Sequence, residues 1–191
     1  APNIVPAEAE VWYYLRALEN EELDEIRERV KNIARGAALM TDTTVEERVN
    51  GACSSVLNNA RLADLQFEVM KEIGPIEFTD EERSYASEVN SHYPETNAKQ
   101  VFQELIVPEE LKSKADSAIL EPLIADNYPA MDSMLVLTGS TDVGDVSRIT
   151  PLSMLRTACF ATRAAGHSWG IVATSGMSIG HRGMMHAAAV M

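Results

Sequence analysis

Cysteine is scarce in this chain. Cys53 and Cys159 stand far apart, and no C-x-x-C pair exists. That excludes a disulfide-dense scaffold. One bridge is open to the pair, but two reduced, buried thiols are the commoner outcome, and they point to a cytoplasmic setting. Basic residues are also short, 16 against 29 acidic, for a net charge of -13. Nucleic acid and anionic membrane surfaces repel such a balance, so neither is expected as a partner. No apolar run approaches the roughly 20 residues that span a bilayer, and no secretory leader opens the chain. An H-E-x-x-H pair and a Gly-Lys-Ser/Thr phosphate loop are both missing. There is no internal repeat and no low-complexity tract.

What is present suits one large domain or two small ones: 191 residues, 46% hydrophobic. The first residue is Ala, inside what reads as a strand entry, which predicts a piece of a longer protein. "AEAEVWYYLRA" alternates, with Ala9, Val11, Tyr13 and Leu15 on one face, and predicts a half-buried strand. "LENEELDEIRERVKNIARGAAL" switches to helical spacing, with Leu23, Ile26, Val30, Ile33 and Ala37 in a stripe and Glu25 paired to Arg29. "TTVEERVNGACS" predicts a second strand. "NNARLADLQFEVMKEIGP" predicts a helix capped by Asn58 or Asn59, lined by Leu62, Leu65, Val69 and Ile73 and ended by Gly74-Pro75. "TDEE" at 79–82 has the pattern of a capping box opening a third helix that stops before Pro94. From 94 to 132 the chain is acidic and interrupted by proline, and predicts a mostly superficial insertion. Met134 to Leu137 and "PLSMLRTACFATR" read as strands, "GHSWGIVATSG" as a loop or short strand, and "MSIGHRGMMHAAAVM" as a closing helix. The fold class expected is α/β.

Chemistry concentrates near the C-terminus. His167, in "AAGHSWG", is flanked by small residues in a loop, a place where ligands and catalytic groups gather. A backbone-bonded histidine is the plainer alternative. His181 and His186 lie five apart on one helix, which does not bring two rings to a shared metal. The loop "GSTDVGDVS" carries Asp142 and Asp145 among glycines. Its carboxylates would repel phosphate, so it suits substrate polar groups, a cation or an ordinary turn. The doublets Glu21-Glu22, Glu46-Glu47, Glu81-Glu82 and Glu109-Glu110 read as solvated surface. The Trp12-Tyr13-Tyr14 cluster reads as core or interface.

Two blocks, "PNIVPAEAEVWYYLRA" and "GSTDVGDVS…TP…GHSW…SIGHRGMMHAAAVM", together resemble the C-terminal part of the peptidase M-twenty metal-dependent amidohydrolases, in the branch whose substrate is aminobenzoyl-glutamate. The resemblance implies an α/β architecture. Residues 1–54 would be the second half of a ferredoxin-like lid, or dimerisation, domain. Residues 55–191 would be the C-terminal part of a two-metal, aminopeptidase-like catalytic domain, with 94–132 inserted. It implies hydrolysis of an amide in an N-acyl amino acid or aminobenzoyl-glutamate-like small molecule, assisted by two divalent ions, zinc or manganese. His167 matches a late metal ligand. Asn3, Arg16, Thr141 and Asp142 match positions on the substrate side. His181 falls in the branch's "IGH" motif without an assigned role. The chain has no His-x-Asp segment, so most ligands and the catalytic base are expected on a missing N-terminal half. The chain alone is then expected to be inactive and to hold no metal tightly. The intact enzyme would be cytoplasmic and homo-oligomeric through the lid. A non-catalytic interaction or ligand-binding module, and one subunit of a heteromeric hydrolase, are the rival readings.

Overall fold

The structure is a computed structural model and describes residues 3–98, 112–129 and 139–191. By backbone contacts the chain divides into two units. The first comprises 1–56 with 140–145, and the second 57–139 with 146–191.

In the first unit, helix α1 runs Asn20–Thr41 and ends on Asp42 in the left-handed conformation at φ 53°. The helix agrees with the expected spacing, but no residue of it is buried, and Ile33 is 69% exposed. The expected Glu25–Arg29 pair does not form. Arg27 and Lys31 instead reach Glu47, at 3.1 and 3.4 Å, while Lys31 also holds Glu28 at 2.7 Å. These contacts fasten the stretch after α1 back onto it.

The α/β expectation needs correcting, because the described residues contain no strand. "AEAEVWYYLRA" and "TTVEERVNGACS" have no regular structure, and neither does 151–159. Val11, Trp12, Tyr13 and Tyr14 are 67–80% exposed, so the expected inward face faces solvent. Alternation marks a face, but a strand forms only when a neighbour completes its hydrogen-bond ladder. The expected strand Met134 to Leu137 lies outside the described residues.

The second unit holds the core. Helix α2 spans Ala60–Ile73, with Asn59 accepting the Leu62 N–H at 3.0 Å, and gives way at Gly74, whose φ of 86° favours glycine. Its buried residue is Met70, whereas Leu65 and Ile73 of the expected stripe are exposed. Helix α3, Asp80–Ser91, opens with the expected capping box between Thr79 and Glu82. Helix α4 is Lys112–Ala118 and the short α5 is Val143–Ser147. Helix α6, Trp169–Ser175, replaces the expected loop or strand. Within it the Thr174 hydroxyl donates to the Gly170 carbonyl at 2.8 Å, satisfying a fully buried polar group. Helix α7, Ser178–Val190, closes the chain as expected.

Ile76, Phe78, Ala86, Val89, Leu123, Ala161, Ala164 and Ile179 form one apolar cluster. Leu123, inside the stretch expected to be a mostly superficial insertion, is 1% exposed. Around it, the Pro122 carbonyl accepts from Thr162 N–H and from Asn90, and the Ala125 carbonyl accepts from Ile76 N–H. Pro122, which reads in the sequence as a surface break, thus bonds into the core. Cys53 and Cys159 are free and only half-buried, not fully buried as expected. Among the described residues no helix is long and apolar enough to cross a membrane.

Candidate functional site

Two polar networks stabilise the second unit beneath its loops. In one, Glu82 is buried and pairs with Arg182 of α7 at 2.8 Å. Burial alone would push its carboxyl up. Hydrogen bonds from Ser178, Arg182 and the Thr79 N–H outweigh that and bring it down to about 2. In the other, Asn127 donates to the Met70 and Gly74 carbonyls at 2.7 and 2.8 Å, satisfying the end of α2. Both amide hydrogens are thereby used, so its oxygen must accept. Nε2 of buried His186, 3.2 Å away, then carries the hydrogen. Burial lowers the His186 pKa. These are structural roles. His181, five residues earlier, is exposed, so the two rings do not share a face.

His167 sits in the turn between the core segment Ala161–Ala164 and α6. It is exposed, and its φ is 58°. Such a backbone is uncommon for a residue with a Cβ, costs about 1–2 kcal/mol, and concentrates at functional turns. The turn is held on both sides. Before it, the Asn90 oxygen accepts the Arg163 N–H at 2.8 Å, and Asn97 donates to the Arg163 carbonyl at 3.2 Å. After it, Tyr93 meets Ser168 and Gly170. No hydrogen bond among the described residues engages the His167 ring, so both nitrogens are open to a ligand. Among the described residues, however, no group of three or more His, Cys, Asp or Glu side chains is placed to hold a metal ion.

The positions expected on the substrate side, Asn3, Arg16, Thr141 and Asp142, fall in the first unit. Asn3 and Arg16 are exposed in the irregular stretch before α1. Thr141 and Asp142 form the turn that starts α5, with the Thr141 carbonyl accepting Gly144 N–H and the Asp142 carbonyl accepting Asp145 N–H. Thr141 Oγ1 lies 3.4 Å from both Asp142 Oδ1 and Val143 N, so these side-chain contacts are weak and leave the pair adaptable. Asp145 is committed, since its carboxylate accepts the Ser54 N–H at 2.9 Å. Asn90, Tyr93 and Asn97 were not singled out from sequence. The only available sign was a cluster of polar residues around a helix end and Pro94.

Comparison with known proteins gives two similarities. Residues 1–41 match the peptidase dimerisation domain of the M-twenty family. The chain is 35% identical over 195 residues to a subunit of the p-aminobenzoyl-glutamate hydrolase of Escherichia coli (strain K12). Both findings are similarities, one to an M-twenty dimerisation domain over the first 41 residues and one to a hydrolase subunit over the whole chain. That bears out the resemblance carried by "PNIVP", "GSTDVGDVS" and "GHSW". The alignment takes in 100% of this chain and 40% of the relative's length. No solved structure matches.

Proposed function

We propose that this chain is part of a metal-dependent amidohydrolase that cleaves the amide of an N-acyl amino acid or aminobenzoyl-glutamate-like substrate. The observation that carries the reading is the 35% identity spread over the whole chain. Residues 1–54 would serve as half of a lid and 55–191 as part of the catalytic domain. Two divalent ions, zinc or manganese, would supply an acidified water and a polarised carbonyl. His167 would be this chain's ligand to them. Its exposed ring and open nitrogens support that role. Arg16 would clamp a substrate carboxylate, for which a planar guanidinium has the geometry. Asn3, Thr141 and Asp142 would meet the substrate's remaining polar groups.

One histidine does not hold a catalytic ion, since such sites use about three protein ligands. We therefore infer that the other ligands and the general base lie outside these 191 residues, and that this chain by itself does not turn over. The word "subunit" in the relative's name supports assembly with other chains. The matched dimerisation domain supports self-association. The test is turnover of p-aminobenzoyl-glutamate by a longer form that contains this chain. His167→Ala should abolish it and Arg16→Ala should raise KM, both with the fold intact. Unchanged kinetics in both would favour a non-catalytic binding module instead.

A further inference from the structure

We propose that Tyr93 is the positioning residue for His167. The inference rests on reading His167 as a ligand. Helix α6 begins at Trp169, and Ser168 makes no capping bond of its own to it. The Gly170 N–H, which a helix start leaves without an internal partner, donates instead to the Tyr93 hydroxyl at 2.9 Å. That hydroxyl lies 2.8 Å from Ser168 Oγ. Ser168, Tyr93 and Gly170 thus form a relayed cap, and the residue directly after His167 is tied to the end of α3. The Tyr93 ring stacks on Trp169, with centroids 5.4 Å apart and planes 26° from parallel. Gly170 permits this approach, because a Cβ there would stand 2.7 Å from the Tyr93 hydroxyl.

His167 adopts a left-handed backbone that a residue with a Cβ keeps only when its neighbours hold it. Asn90 and Asn97 fix the chain at Arg163, four residues earlier. Tyr93 supplies the anchor on the other side, one residue away. It sets the direction in which the imidazole leaves the backbone.

The test compares the full 191-residue chain with its Y93F and S168A variants by NMR. Y93F keeps the stacked ring and removes the hydroxyl. Exchange of the Gly170 amide should quicken about tenfold. The Cα and Cβ shifts of His167, which report its left-handed backbone, should move toward those of an ordinary turn. S168A should produce a smaller change of the same kind. Faster Gly170 exchange with unmoved His167 shifts would make Tyr93 a cap of α6 and nothing more, and would overturn the proposal. Should Y93F fail to fold, the His167 shifts in S168A decide alone. The ligand reading is separable, because it depends on turnover in His167→Ala. Turnover that survives that substitution, beside shifted His167 signals in Y93F, sinks the ligand role and leaves the positioning role standing.

Discussion

The two units of this chain contrast in what they bury. The second packs Phe78, Val89, Leu123 and Ile179 to under one-tenth exposed. The first, among its described residues, buries no apolar side chain and leaves Trp12, Tyr13, Tyr14, Leu39 and Met40 more than half exposed. Yet the first contains α1, a helix of 22 residues. A helix closes its backbone hydrogen bonds within itself, so α1 forms without a buried face. The flanking alternating stretches lack that option and need another strand. The contrast separates what local sequence specifies from what a neighbour must supply.

Substitutions in the two units should therefore differ in effect. The largest loss is expected at Glu82. Glu82→Gln should destabilise the second unit by about 3 kcal/mol in urea unfolding, because it breaks the Arg182 pair in a buried setting. The folded carboxyl is depressed from 4.5 to about 2, so its contribution is complete above the unfolded value and is lost as pH falls through the folded one. An acid titration should show this loss in the parent chain and a flatter profile in the variant.

Asn127→Ala comes next, at about 2 kcal/mol, since it strips partners from two helix-end carbonyls and from His186. The depressed His186 pKa adds a second dependence on acidity. The neutral ring is favoured by the fold, so stability should decline as pH drops below the unfolded histidine value near about 6.5. His186→Gln should remove that component of the pH profile.

Thr79→Ala should cost about 1 kcal/mol, the usual effect of deleting a helix cap, with helicity falling first at the start of α3. Tyr13→Ser, in the first unit, should leave the unfolding midpoint within scatter, because its ring is already 71% exposed. A large loss there would break the contrast and place Tyr13 in a buried contact.

The helices were legible in the sequence because their signals are local. The Thr79–Glu82 box, the Asn59 cap and the Gly74 stop each act within a few residues. The strands were not, because Val11 and Tyr13 alternate correctly without a ladder to join. Helix α6 was missed for a related reason. The stretch read as a loop or short strand, while its support comes from Tyr93, 77 residues from Gly170. Leu123 was hidden beside Pro122, whose carbonyl serves the core. Of the candidate site, His167 stood out in the sequence as the expected ligand through its motif. The asparagines and tyrosine that hold its turn are visible only once α3 is folded against it.

The most direct test of the account is a zinc titration of the 191-residue chain, with amide hydrolysis followed in the same samples. We predict no stoichiometric, tight uptake and no turnover, since the proposed reading gives this chain one ligand, His167, of a centre whose other ligands lie elsewhere. Tight binding of one or two ions per chain, with hydrolysis of p-aminobenzoyl-glutamate, would contradict it.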